Sequence, residues 1–401
     1  MHRGDPVGRQ HKRSRSASDA GWVQAMTRRG GGIRVGLQLG TQPPLAVSRG
    51  YLLAARAMRL SSVMVIDHLQ NVFPSVIWDE QLTWLARRRW TPHDHLDYQA
   101  FMGYLAPHAG RLQLGVGVTD TIRRHPVVIS QALLTVAQVT RRAPILGVGV
   151  GELLNIAPYG LDYTHRTTRL EEALQVIRAC LNATGPLDFA GRYFRLEGAR
   201  MDLRAPKGKT PRIWVAAHGP RSLTLAGRYG DGWYPTMVAT PEEYAAKLAV
   251  VRGAASAAGR DPNAITPALH RFTVIGHTEA EARSILDTRA IRALGLAVPG
   301  RVWRDVGATH PFGEDYNGLA QFLPESYDRP ELDRAIAAVP MEVLTRGPLL
   351  WGTPEQAVRR LREFGDAGLS HVVLAPVSGL ASPRAALYGL LATGTIAHAL
   401  A

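Results

Sequence analysis

Four short stretches of the chain place titratable or polar side chains directly after apolar, β-branched runs: Asp67-His68, Thr119-Asp120, Glu152 with Asn155, and His218-Gly219-Pro220-Arg221. A carboxylate beside a histidine suits proton transfer near neutral pH, because an imidazole with a reference pKa of about 6.5 can both hold and release a proton. A glutamate enters that range only when burial raises it. The stretch His218–Ser222 is of another kind. Its glycine and proline open a helix whose first N–H groups can grip a phosphate, with Arg221 adding charge. Taken singly, each stretch has a structural explanation as a loop cap, a packed histidine or an ordinary helix start.

The elements that must position these residues alternate between short apolar strands and amphipathic helices, the pattern of βα units around a parallel sheet. The strands are expected at Ile33–Leu39, Ser62–Ile66, Leu112–Val118, Ile145–Val150, Ile213–Ala217, Gly232–Tyr234, Ala268–Ile275 and His371–Ala375. Helices are expected at Val127–Thr140, Arg166–Leu181, Pro241–Ala258, Ala280–Leu294 and Pro354–Asp366, with Thr240-Pro241 and Thr353-Pro354 as cap-plus-first-turn pairs. Eight almost wholly apolar strands predict a (β/α)8 TIM barrel, whose chemistry sits at the C-terminal strand ends. The second, third, fourth and fifth strands then deliver the four polar stretches to one rim. Gly147–Gly151 lacks the third glycine of a dinucleotide fingerprint, and its glycines are read as letting a flat ring approach the backbone. Two aromatic-rich insertions, 69–98 and 296–341, are read as roofing the site, the second as readily as packing decoration.

Composition narrows the class. The 401 residues are 46% apolar and 20% charged, an ordinary globular balance, and the lone Cys180 excludes an intramolecular disulfide or a cysteine-based zinc cluster. No metal site is expected, and a reducing cytoplasm is the default location. Of the net charge of +14, residues 1–34 supply +6, with eight Lys/Arg against Asp5 and Asp19, and the remaining +8 is spread over the body. Residues 1–32 read as a disordered basic tail before one barrel domain, 33–401, and Met26 is an alternative start. The body has no zinc-finger, RNP or basic-zipper pattern, so a nucleic-acid partner is not expected. The apolar segment Ala386–Ala401 is broken by Gly389, Thr393, Gly394 and His398 and reads as a docking helix.

Three blocks together resemble the F420-dependent luciferase-like oxidoreductases: IDHLQ (Ile66–Gln70), GVGVGELLN (Gly147–Asn155) and WVAAHGPRSLTLAGRYGDGWY (Trp214–Tyr234). LGVGVTDTIRRHP (Leu114–Pro126) and the His310–Asp315 insertion are similar to the phthiodiolone and phenolphthiodiolone dimycocerosate ketoreductases of that family, with the match weakening over Val72–Tyr98. The resemblance implies coenzyme F420, with a non-prolyl cis peptide at Gly117-Val118 backing the deazaflavin ring. It also implies Asp67 and His68 beside the ring, Thr119 and Asp120 near its edge, and Gly151, Glu152 and Asn155 over its pyrimidine side. Ala217, His218, Gly219 and Arg221 would hold the phosphate.

By that reading the enzyme is a ketoreductase: a hydride passes to the ketone of a lipid substrate while His68, oriented by Asp67, protonates the oxygen and Glu152 manages protonation at the coenzyme. FMN in the same fold would instead make a monooxygenase, and a non-catalytic barrel that binds deazaflavin or lipid is a third reading. A homodimer is expected by family analogy, and the aromatic insertions suggest transient membrane contact to collect a lipid.

Overall fold

The computed structural model describes residues 32–347 and 349–401. The expected tail disorder and the alternative start at Met26 concern residues 1–31, outside the described residues. Eight parallel strands form where the apolar runs predict them: β1 (Arg34–Leu39), β2 (Ser62–Val65), β3 (Gln113–Asp120), β4 (Ile145–Gly149), β5 (Arg212–Val215), β6 (Gly232–Trp233), β7 (Thr266–Ile275) and β8 (His371–Pro376). Their order is β7-β8-β1-β2-β3-β4-β5-β6, and pairing of Gly232 with Thr266 and Trp233 with Pro267 closes the barrel. The eight strands and their flanking helices make the expected (β/α)8 TIM barrel.

The barrel interior is packed by side chains such as Met64, Ile145, Trp214, Tyr234 and Val373. Gly147 has no side chain because a Cβ there would lie 2.3 Å from the Val116 carbonyl. The local register between β3 and β4 shifts between Val116 and Thr119, and the Gly117-Val118 peptide inside that bulge is cis. Gly147 therefore serves this close strand approach, and not the approach of a flat ring as expected from its sequence. At the other end of the interior, His371 Nε2 and Ser62 Oγ are 2.9 Å apart, paired across Gly36, where a Cβ would meet that hydroxyl.

Helices cover the barrel. Pro241–Ala257 and Pro354–Asp366 begin as expected, each with its threonine capping the first turn, and Thr353 forms a reciprocal capping box with Gln356. The long helix expected at Ala280–Leu294 is two, Glu279–Leu286 and Arg289–Gly295, because Thr288 between them adopts extended backbone angles. The helix Pro383–Leu400 docks on the barrel through Gly389 and Gly394, the latter against Met58. No described helix is long and apolar enough to cross a membrane. A half-exposed hairpin, Leu187–Ala190 with Arg195–Ala199, and a short strand, Leu350–Gly352, were not expected from the sequence.

The first insertion lies between β2 and β3 and the second between β7 and β8, and they bury one apolar cluster that joins Phe73, Ile77 and Leu82 to Leu296, Trp303 and Leu332. His310 belongs to this packing: its Nε2 donates to the Leu296 carbonyl at 3.2 Å, and its ring stacks on Tyr316.

Burial pushes His371 and His270 down to about 3, with Arg34 and Arg271 respectively adding to the effect. A folded-state value below the unfolded one means that the unfolded chain takes up protons first. The stabilisation is complete above about pH 6.5 and falls toward about pH 3 by about 1.4 kcal/mol per pH unit per histidine. Urea unfolding followed from neutral to mildly acidic pH is expected to show a falling midpoint, and His371→Gln, which keeps a partner for Ser62, should flatten part of that slope.

Candidate active site

Each rim loop starts where a strand ends. β2 runs into Asp67 and His68, and these neighbours face different partners. Asp67 is buried, accepts Thr119 Oγ1 at 2.6 Å and Arg123 Nη2 at 2.8 Å, and receives Arg124 Nη1 at 3.1 Å. It makes no hydrogen bond to His68 among the described residues, so the expected orientation of His68 by Asp67 is corrected. Arg123 is buried with it and donates Nε to Asp120 Oδ2 at 2.5 Å. Asp120 uses its other oxygen to cap the turn, accepting the Ile122 and Arg123 main-chain N–H groups, both at 2.8 Å.

His68 turns toward the end of β4. Its Nε2 lies 3.3 Å from Glu152 Oε2, and both side chains remain partly exposed. Asn155, itself buried, donates Nδ2 to the same Glu152 oxygen at 3.2 Å and accepts the Leu69 and Gln70 N–H groups at 2.7 and 3.0 Å. One amide therefore positions the glutamate and clamps the start of the first insertion. Gly151, at φ 84°, leaves the strand in a left-handed conformation, and a Cβ there would strike Ile156 at 2.4 Å.

The sequence reading missed His95. Its ring centroid lies 5.7 Å from that of His68, with Nδ1 3.1 Å from Thr41 Oγ1 and Nε2 3.4 Å from Gln42 Nε2. Because the glutamine amide can only donate, Nε2 accepts and Nδ1 carries the proton. Burial, with His68, Arg89 and His93 nearby, pushes His95 down to about 2, so a neutral ring abuts His68. The pattern His93-Asp94-His95 was visible, but the 26 residues between His68 and His95 hid their relation. Arg123 and Arg124 were visible too, without a sign that both would serve Asp67.

Around the rest of the rim, Gly117 and Val118 are partly exposed, so the bulge presents a strip of backbone to the mouth. At the end of β5, Ala217 is buried and its carbonyl accepts Trp233 Nε1 at 3.0 Å, while His218 and Gly219 are exposed. Gly219 opens the helix Pro220–Tyr229 without a side-chain cap. Arg221, expected at the phosphate, is engaged instead by Glu171 of the neighbouring helix at 2.9 Å. No cluster of metal-ligating side chains occurs among the described residues.

The roof is fastened over this rim. His93 Nε2 of the first insertion meets Glu325 Oε1 of the second at 2.9 Å, Arg329 pairs with Asp79, and Trp84 Nε1 donates to the Gly379 carbonyl beyond β8 at 2.8 Å.

A closed eight-stranded barrel with a bulged third strand and a polar rim agrees with the match of residues 79–371 to the luciferase-like monooxygenase family, and the chain belongs to that family of oxidoreductases. Among its relatives, the phthiodiolone/phenolphthiodiolone dimycocerosates ketoreductase of Mycobacterium tuberculosis is 39% identical over 352 residues, spanning 86% of this chain and 92% of that protein. The F420-dependent glucose-6-phosphate dehydrogenase of Nocardia farcinica is 33% identical over 282 residues, 68% of this chain and 76% of its own length. The structure of an F420-dependent secondary alcohol dehydrogenase in complex with an F420-acetone adduct superposes with a TM-score of 0.72 at 20% identity, covering 92% of this chain and all of the other, a likeness of fold.

Replacing Arg123 by Met would leave Asp67 and Asp120 without their shared counter-charge in a buried setting, an expected loss of about 3–5 kcal/mol in urea unfolding. Adding Asp120→Asn to that variant should recover part of the loss, since it removes the stranded charge, while Asp67 keeps Arg124.

Proposed function

We propose that this protein is an F420-dependent ketoreductase acting on the ketone of a phthiodiolone-type lipid. The observation that carries the reading is the His68–Glu152 pair on the rim, beside a strip of exposed backbone at Gly117-Val118 and within reach of the 39%-identical relative's chemistry. The residues present fit a deazaflavin. The partly exposed Gly117-Val118 bulge suits the face of a flat ring, and the uncapped start of the helix Pro220–Tyr229 suits a phosphate, with His218 and Gly219 at its mouth. With Arg221 bound to Glu171, the phosphate contact is assigned to the main chain.

Reduced F420, when bound, supplies the hydride. The protein's part is to place the ketone and handle one proton. As the carbonyl carbon gains hydrogen, negative charge grows on its oxygen, and His68 delivers the proton there from Nδ1, the ring nitrogen that Glu152 does not face. Glu152 holds Nε2 and offsets the imidazolium charge before transfer, while Asn155 keeps the carboxylate facing His68. The neutral His95 supports the ring without adding a competing positive charge. Asp67 and Thr119 act one step back, by fixing the ends of β2 and β3.

Titration of the protein with F420 and with FMN, followed by tryptophan fluorescence, is expected to give saturable quenching by F420; preference for FMN would move the reading to monooxygenation. His68→Ala should lower turnover of a ketone by about 100-fold or more, the scale of general acid catalysis, with F420 affinity little changed. Equal losses in both would sink the assignment of His68. Glu152→Gln, which keeps shape and removes charge, should lower turnover of the ketone while F420 affinity is little changed.

A further inference from the structure

A group of the exposed large apolar side chains follows the C-terminal strand ends. Leu45 and Val47 follow β1, Leu69, Val76 and Trp90 lie on the first insertion after β2, and Leu161 follows β4, so these six stand on the face that carries His68 and Glu152. Their loops are tied into one surface: Leu96 N–H donates to the Thr41 carbonyl at 2.8 Å, and Asn155 binds the Leu69 and Gln70 N–H groups. Trp90 is 91% exposed, on a tip braced from behind by Trp78, whose Nε1 donates to the Arg89 carbonyl at 2.9 Å, and by the Arg89–Asp94 pair. On the same segments are Arg49 and Arg88, both exposed, whose side chains form no hydrogen bond or ion pair with a described residue. Arg87 beside them is shared with the exposed Glu80 at 2.6 Å.

We propose that this rim is a docking surface for an anionic lipid bilayer, with the Trp90 tip as its anchor, so that the barrel mouth faces the membrane. The proposal rests on the lipid-ketone reading and adds how such a substrate is collected. A tryptophan ring is at its most stable at the level of the headgroups, apolar side chains gain by entering the acyl boundary, and arginines lay their stems on that boundary with the guanidinium among lipid phosphates. Unpaired arginines within an apolar rim complement a negatively charged surface. They fit less well in the dry, charge-depleted centre of a subunit interface.

Sedimentation with phosphatidylcholine vesicles, with and without phosphatidylglycerol, tests this on the full chain. The protein is expected to pellet with the phosphatidylglycerol-containing vesicles. Trp90→Ser combined with Arg88→Glu should weaken that binding by about tenfold or more, while F420 quenching and the reduction of a water-soluble ketone stay unchanged. Leu391→Ser, at an exposed site on the helix Pro383–Leu400, should bind as the parent does. Absence of vesicle binding by the parent, or equal binding by the double variant, overturns the proposal. So does a double variant that changes the oligomeric state in light scattering with no change at vesicles, since the rim would then be a contact between copies. Vesicle binding without reduction of any ketone would sink the ketoreductase reading and leave the lipid surface standing.

Discussion

Two strand ends meet at one buried guanidinium. Arg123 holds Asp67 from β2 and Asp120 from β3, while Thr119 and Arg124 complete the shell around Asp67. Two carboxylates and two guanidiniums out of water are costly unless each lone pair and proton is matched, and the close contacts here come near to that. The cluster also fixes how the chain leaves β2. With Asp67 drawn inward, the next residue projects outward, and His68 reaches Glu152 beyond the end of β4. The His68–Glu152 pair is thus set by an ionic knot that lies behind it.

Above this knot the two insertions behave as one body. Their shared apolar cluster, with the His93–Glu325 and Arg329–Asp79 pairs, joins segments separated by more than two hundred positions in sequence. Long connections are usually the mobile part of a barrel, and here they carry a core of their own. That core explains why so many aromatic residues occur in both segments. Phe312, Phe322 and Tyr327 pack against one another, and His310 sits among Trp303, Phe312 and Tyr316. The aromatic content that reads as a pocket lining is largely spent on packing the roof, with Trp90 the exception.

The barrel was legible because buried parallel strands must be continuous apolar runs, and all eight occur where such runs lie. What was less legible depended on direction and distance. Asp67 and His68 read as a dyad because they are adjacent, yet adjacent residues on an extended segment point opposite ways. Gly147 read as an opening for a ligand, while its role is to let β4 pass the Val116 carbonyl. The hairpin at Leu187–Ala199 lacks the apolar density of the barrel strands, being half solvated, and gave little signal. His95 could be recognised only after Thr41 and Leu96 were seen to bring the first insertion back to the end of β1.

Asn155 has a mechanical consequence beyond its hydrogen bonds. Its carbonyl oxygen holds the first residues of the roof, and its amide nitrogen holds the carboxylate that faces His68. Any displacement of Leu69 and Gln70 would therefore be felt by the same side chain that aims Glu152. The start of the roof and the Glu152 carboxylate share one mechanical link, so the position of either constrains the other.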